Sequence, residues 1–547
     1  MTATTEAEDV KTPPAQAGDL TDSEKTIVAE KEAAGPTTPG VDPDAEYPKG
    51  LKLFLIIGAL LLSVFLVALD QTIIAPALGA ITDDYKTVKD IGWYGASYML
   101  TTTALQPTFG TIYRLFSVKF TFLTAVAIFE LGSLITAVAP TSTAFIIGRA
   151  IAGLGTAGLF SGCVVILSYT LPLRQRPMAF GMIGGVWGVA GVAGPLLGGA
   201  FTEHATWRWC FYINLPIGGA AMVAILLFLH IKSNKTHQGT ILERIKELDL
   251  LGTAILIPAI VCLILALQWG GAEYPWKSAK IIGLFVGFGG MAIVFIAIQL
   301  WKGDKATLPP RFFTNRNVLC AMLFAMFFGA AFFPLIYYYA LYFQAVHGDS
   351  AVEAGIKLLP LLISTVLIMV LFTVGAGMLT TLGLHPPLRE WFGYQVLTGL
   401  GIGVGFQVGV LVVQAVLPHE DIPVASACIQ FFQSLGGAIF IAVSQTVFQN
   451  GLIDGISRDA PGLDAQIFIN SGASQVRGIL KSMHMEQYTT AVLNAYWQGL
   501  RHSFFITVGC AAAAFLACLG LSWINIKQKQ GGEANSGAEE KPAAIAV

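Results

Sequence analysis

The chain has 547 residues, of which 54% are hydrophobic and only 12% charged, about half the roughly 25% charge of an ordinary soluble domain. With a mean hydropathy of +0.67, too little polar surface remains to cover a soluble body of this size, which excludes a cytosolic enzyme. The 32 lysines and arginines against 34 acids give a net charge of -2, so no basic excess exists to hold nucleic acid.

Residues 1–50 come first. Their eleven acids and four lysines, with much Pro, Thr and Ala and no apolar pattern, predict a disordered acidic tail. No apolar stretch lies near Met1, so the tail reads as retained rather than as a cleaved signal peptide. Thirteen apolar runs follow, near 53–79, 92–112, 120–139, 143–170, 179–202, 210–230, 250–269, 280–301, 317–344, 356–384, 391–417, 424–449 and 503–526. Each approaches the roughly 20 apolar residues a spanning helix needs. Two connections are long: 231–249, with amphipathic spacing at Ile241, Ile245 and Leu248, and the polar segment 450–502. The pattern predicts an all-α polytopic membrane protein. Its parts are a six-span bundle at 51–231, a charged linker with two extra spans at 232–316, a second bundle at 317–526 and a disordered tail at 527–547.

With the N-terminus placed in the cytoplasm, the inner loops of the first nine spans hold Arg114, Lys119, Arg174, Arg176, Lys232, Lys235, Arg244, Lys246, Lys302, Lys305, Arg311 and Arg316. The outer loops hold Lys86, Lys89, Arg208, Lys277 and Lys280. That asymmetry predicts a cytoplasmic N-terminus. The later loops leave the side of 450–502 open. The seven cysteines sit in or beside apolar runs with no metal-ligand spacing, so they read as buried free thiols and no metal site is expected. No GxxxxGK[ST] phosphate loop is present, which argues against an ATP-driven pump.

Charges deep in apolar runs are costly and become functional candidates. Asp70 in LVALDQTIIAPAL and Arg149 in FIIGRAIAGLG lie at similar depth, about 10–15 Å below the outer surface at 1.5 Å per residue. They can therefore pair; a purely structural ion pair is the alternative. Glu130 in AVAIFELGSLI has no evident cationic neighbour, and a carboxyl desolvated there is either a proton site or a hydrogen-bonded packing group. Gln71, Gln106, Gln344, Gln407, Gln430 and Gln433 are uncharged polar groups within the runs; any could line a cavity or bond across helices. In the fifth run, Gly188, Gly191, Gly194 and Gly198 fall on one helical stripe, with Pro195 and Gly199 beside it. Such a stripe permits close helix approach, and the proline predicts a bend.

Three of these stretches resemble the major facilitator superfamily, and within it the fourteen-span drug:proton antiporters. They are LDQTIIAPAL at 69–78, GRAIAGLGTAG at 148–158 and GVAGPLLGGA at 191–200. Further stretches are similar to fungal toxin and secondary-metabolite efflux pumps: LQPTFGTIYRLFSVKFTFL at 105–123, IFELGS at 128–133, WRWCFYINLPIGG at 207–219, LQWGG at 267–271 and YFQAVHG at 342–348. The resemblance implies two six-helix bundles plus two central spans, with Asp70, Glu130 and Arg149 in proton coupling. It also implies Gly188, Gly191, Gly194, Pro195, Gly198 and Gly199 as the moving antiporter interface.

The chain departs from the family twice. Arg114 and Ser117 stand in the loop after the second span, where the family usually has Asp and Gly. The single run 356–384 occupies the place of two spans, its first half like the start of one and its second half like the end of the next. The expected function is export of small apolar compounds in exchange for protons, with no cofactor beyond the proton gradient. The expected partners are the substrate, protons and lipid, without an obligate protein partner. The expected location is the plasma membrane, with a vacuolar or vesicle membrane as the alternative. A proton-coupled importer, or a non-transporting sensor or scaffold, are the rival readings.

Overall fold

The computed structural model describes residues 47–86, 90–230, 241–271, 274–348, 353, 357, 370–384, 386–418, 420–470 and 476–522. Both tails expected to be disordered lie outside the described residues, apart from 47–50. Among the described residues there are helices and turns but no strand, as a chain in lipid must satisfy its backbone internally. The fold is all-α.

The first run divides into α1 (Gly50–Thr72) and α2 (Ile74–Tyr85). The break follows from Pro76, which has no N–H to offer Thr72 one turn back. The chain then runs through α3 (Ile91–Leu115), α4 (Val118–Val138), α5 (Ser142–Thr170) and α6 (Arg176–His204). The sixth run is α7 (Trp209–Tyr212) continued by α8 (Asn214–Phe228), and the amphipathic piece becomes α9 (Ile241–Glu247). The two central spans are α10 (Leu250–Trp269) and α11 (Ala279–Lys302), followed by the short α12 (Pro310–Thr314). The second half holds α13 (Arg316–Tyr342), α14 (Val370–Leu379), α15 (Leu388–Val416) and α16 (Ile422–Asp459). It ends with α17 (Ala465–Asn470), α18 (Val476–Ser482) and α19 (Thr489–Leu519). Ten of these segments are long and apolar enough to cross a membrane. α3 and α15 are of similar length and pack among them.

Contacts fix which ends share a face. At the face where α1 begins, Arg176 Nη1 donates to Gln414 (3.0 Å), Arg311 pairs with Asp421 (2.6 Å) and Arg316 Nε donates to the Gly520 carbonyl (2.8 Å). At the opposite face, Tyr85 donates to the Ala139 carbonyl and Arg208 pairs with Asp84 (2.9 Å). Arg477 reaches the carbonyls of Val346 and His347 there. Tyr342, near that same end of α13, donates to the carbonyl of Gly383 (2.8 Å). The chain therefore leaves α13 and enters α15 on one face, so the stretch 349–384 makes no net crossing. Counting the run 356–384 as a full span would put 450–502 on the α1-start side. The contacts put it on the opposite face.

There 450–502 is not merely a polar loop. α16 is 38 residues long and projects past the membrane. Leu452, Ile456, Phe468, Leu480, Val492 and Tyr496 form a buried core between its end, α17, α18 and the start of α19. Tyr496 donates to the Phe468 carbonyl (2.8 Å), which ties α17 to α19.

The α1-start face carries a second knot. Asp249, the N-cap of α10, accepts from the Gly252 N–H (2.7 Å), Gln299 (2.7 Å) and both the N–H and hydroxyl of Thr307 (3.1 Å each), and pairs with Lys302 (2.9 Å). Burial alone would raise the Asp249 carboxyl, but these partners outweigh it and hold the group below the usual carboxylate range. The knot fixes α10, α11 and the 303–309 segment as one unit. All seven cysteines are free, four of them buried.

Candidate functional site

Asp70 lies two residues before the end of α1 and is fully buried; Arg149 on α5 is 2% exposed. The guanidinium Nη1 donates to Asp70 Oδ2 at 2.5 Å, and Nε donates to the Tyr94 carbonyl at 3.0 Å. Its donors are thus divided between a carboxylate and a backbone oxygen, that of Tyr94 on α3. The guanidinium carbon sits 4.4 Å from the Tyr98 ring centroid and 5.8 Å from that of Phe211. Asn214 on α8 donates to the other oxygen of Asp70 (3.3 Å) and to Ser133 (3.1 Å). A buried pair is tolerated when its remaining donors and acceptors are satisfied, and both oxygens of Asp70 are.

Glu130 on α4 is half-buried and hydrogen-bonds to neither member of the pair. Neither of its oxygens has a hydrogen-bond partner among the described residues. Its carboxyl lies against Gly218, where any Cβ would overlap it. Gly218 is one turn along α8 from Asn214, and Ser133 is one turn along α4 from Glu130. Asn214 and Ser133 therefore stand between Glu130 and the ion pair.

The glycine stripe faces α1. A Cβ at Gly194 would fall on the Thr72 hydroxyl, and one at Gly198 would reach the Pro76 ring at 2.8 Å. Thr72 in turn lies 2.9 Å from the Ala190 carbonyl, linking α1 to α6. Gly188 is buried, and Gly191, Pro195 and Gly199 are half-buried; α6 continues through Pro195 without interruption.

Beside the pair lies a cavity of about 570 Å³ between the two halves, with walls from α1, α2, α3, α5, α6, α10, α13 and α16. Gln71, Gln106, Gln430 and Gln433 line it. Gln344 and Gln407 do not appear among its described residues: Gln344 belongs to the π-helical turn ending α13, and Gln407 is buried in α15. Gln407 Oε1 has no hydrogen-bond partner among the described residues. Sequence reasoning missed Gln445, Tyr98 and Asn214. Gln445 had a readable signal, because Gln430, Ser434, Gly437, Ile441 and Gln445 form a single helical stripe on α16. None of the described lining residues is Asp, Glu, Lys, Arg or His.

The cavity closes toward the α1-start face. Gln106 donates to Gln430 (3.2 Å), Ser161 donates to the same oxygen (3.2 Å) and Ser434 donates to Gln106 (3.3 Å). One turn further, Gly110 lets α3 approach α16 so closely that a Cβ there would sit 2.6 Å from that of Ala427. Toward the other face the walls carry Gly95 and Met99, both exposed.

The described Major Facilitator Superfamily pattern matches residues 60–370. The MFS-type efflux pump MFS1 of Arthroderma benhamiae is 45% identical over 503 residues, covering 88% of this chain and 93% of that protein. The efflux pump aflT of Aspergillus parasiticus is 43% identical over 506 residues, 88% of this chain and 97% of its own. The MFS-type transporter astH of Aspergillus oryzae is 40% identical, covering 89% of each. Among solved structures, the human organic anion transporter MFSD10 superposes with a TM-score of 0.52 at 13% identity, over 85% of this chain and 100% of that one. The proton:xylose symporter XylE gives 0.50 at 13% identity, over 81% and 99%. At such identities these two show the fold. With the family pattern over more than half of its length and a relative 45% identical over 88% of it, the chain belongs to the major facilitator superfamily of multi-pass membrane transporters.

Proposed function

We propose that this chain is a proton-coupled antiporter that exports small, largely apolar organic compounds of the secondary-metabolite or toxin class. The observation that carries the reading is a buried Asp70–Arg149 pair next to a neutral cavity of about 570 Å³, within the roughly 300–1,000 Å³ of drug-sized sites. The relatives named as efflux pumps support the direction. Glutamines, serines and threonines on a hydrophobic wall suit a neutral aromatic compound carrying a few polar atoms.

In this reading the N-terminus is cytoplasmic, as the basic loops suggest, and the cavity faces outward after releasing its load. A proton from outside then neutralises Asp70, freeing Arg149 from its carboxylate, and the halves rock to face inward. Glu130 on α4 supplies a second protonatable carboxyl in the same bundle. The proton gradient drives the cycle with no cofactor, in the plasma membrane. The domain plan is that of the sequence analysis: bundles at 51–231 and 317–526 about the central unit 232–316.

The test is export along an imposed pH gradient in a transporter-deleted yeast, with a panel of radiolabelled compounds. Asp70→Asn and Glu130→Gln should both reach the membrane, and at least one should lose proton-driven efflux. Normal export by both single variants and the double variant would remove the carboxyls from coupling.

A further inference from the structure

The ion pair and the cavity are neighbours without being continuous. Asp70 is fully buried, yet the next residue, Gln71, lines the cavity. Tyr98 on α3, itself 1% exposed, touches both sides of this divide. Its ring lies 4.4 Å from the Arg149 guanidinium carbon. Its hydroxyl lies 2.7 Å from the hydroxyl of Thr156, with the Gln71 side chain also interacting with it. Thr156 and Gln71 are both cavity wall.

The backbone around Tyr98 is held. Thr102 lies 2.8 Å from the Tyr98 carbonyl and 3.0 Å from that of Gly153, and a Cβ at Gly153 would strike the Tyr98 carbonyl. α3 and α5 are therefore in backbone contact here. Any change at the guanidinium reaches the cavity through the ring and its hydroxyl more readily than through a helix shift.

We propose that Tyr98 is the positioning residue that links proton binding to substrate binding. Its ring holds the arginine, and its hydroxyl sets Thr156 and Gln71 on the cavity wall. The proposal rests on the proton-coupled reading above. The titratable or charged groups facing Asp70 are Arg149 on α5, Tyr94 and Tyr98 on α3, Glu130 on α4 and Cys210 on α7. When a proton from solvent neutralises Asp70, Arg149 loses its ion pair but keeps the Tyr94 carbonyl and the two ring faces. The cation then leans on Tyr98, and the hydroxyl's contacts at the cavity shift. Coupling of this kind is reciprocal: whatever proton binding does to the cavity, a bound compound does to the proton affinity.

The test needs no identified substrate. A thiol placed by Ala442→Cys on α16, across the cavity from Tyr98, is labelled with N-ethylmaleimide in the purified full chain from pH 5 to 8. Its rate is read above that of the same chain without the added cysteine and divided by that of free N-acetylcysteine at the same pH, because N-ethylmaleimide reacts with the thiolate and the thiolate fraction alone rises with pH. The expected normalised rate changes at least threefold with pH, and Asp70→Asn abolishes the change. Tyr98→Phe keeps the ring and removes only the hydroxyl, so it should fold. It should flatten the labelling profile to less than 1.5-fold while retaining the pH-dependent thermal unfolding midpoint that Asp70→Asn loses. A Tyr98→Phe profile equal to wild type overturns the linking role and leaves proton coupling standing. Loss of both the labelling and the unfolding response would make Tyr98 a structural support of the pair and overturn the proposal. A wild-type profile flat with pH overturns the proton-coupled reading itself.

Discussion

Gly194 carries the tightest constraint on the contact between α1 and α6. A Cβ built there overlaps the Thr72 hydroxyl and lies 2.7 Å from the Thr72 Cβ and 3.0 Å from the Ile73 nitrogen. Ordinary carbon contacts sit at about 3.5–4.0 Å, so even alanine must push the helices apart by about 1 Å at this point. Overpacking of this size costs about 1–3 kcal/mol. The same displacement breaks the 2.9 Å contact from Thr72 to the Ala190 carbonyl, worth about 0.5–1.5 kcal/mol net. Gly194→Ala should therefore lose about 2–4 kcal/mol from this interface. Gly194→Leu adds three more carbons where Ile73 and Thr72 already fill the space. Export by Gly194→Leu should fall below one-tenth of wild type while the protein remains measurable at the membrane, with Gly194→Ala between the two. The assay is toxin or drug resistance in a transporter-deleted yeast, normalised to surface abundance of a tagged chain. Wild-type resistance from Gly194→Leu at equal abundance would refute the argument from close approach.

Asp249→Asn should lower stability by about 2–4 kcal/mol, somewhat under the usual cost of breaking a buried pair because Lys302 keeps partial contact with water. Since the folded carboxyl is held below its ordinary range, its contribution is present above the unfolded value of about 4 and fades as pH falls through the folded one. Thermal unfolding between pH 3 and 7 should thus show a steeper acid loss in wild type than in Asp249→Asn, and parallel curves would count against it. A thiol at exposed Asp464, introduced by Asp464→Cys, should react with a membrane-impermeant maleimide from the side opposite to one introduced by Arg174→Cys. Labelling of both from the same side would overturn the assignment of 450–502.

The ion pair was legible because charge in an apolar run is rare and helical rise converts position into depth. Asp70 and Arg149 come out at one level from their places in the runs, and they are in contact. Asn214 was not legible. An asparagine in a mixed stretch carries no such signal, and its partner on Asp70 is 144 residues away. Gln344 and Gln407 show the opposite difficulty, since polarity within a run does not say whether the side chain faces the cavity. The glycine stripe was readable from spacing alone, but which helix it admits was not. That answer comes from Thr72 and Pro76, on either side of the break in the first run. The side of 450–502 turns on crossing parity, which one shortened segment reverses, and only contacts such as Arg311 with Asp421 settle it.

The described part of the run 356–384 stands apart from the cavity wall. Among the described residues, the wall comes from α1, α2, α3, α5, α6, α10, α13 and α16, with none from α14, α15 or α19. α14 packs instead against α15, where Gly375 approaches the backbone of Thr398 at 2.6–2.7 Å from its missing Cβ, and against α19. It also meets α13, where the Phe372 and Phe328 ring centroids lie 5.9 Å apart. The wall has also recruited Ile264, Leu267 and Gly270 from α10, one of the two central spans, whose place beside α3 and α16 is secured by Thr253 bonding to Thr108 (3.0 Å). Asp249 anchors that span at the α1-start face. The central pair thus does more than connect the bundles: α10 completes the chamber that the two halves share, and its anchoring knot is part of what keeps that chamber's shape.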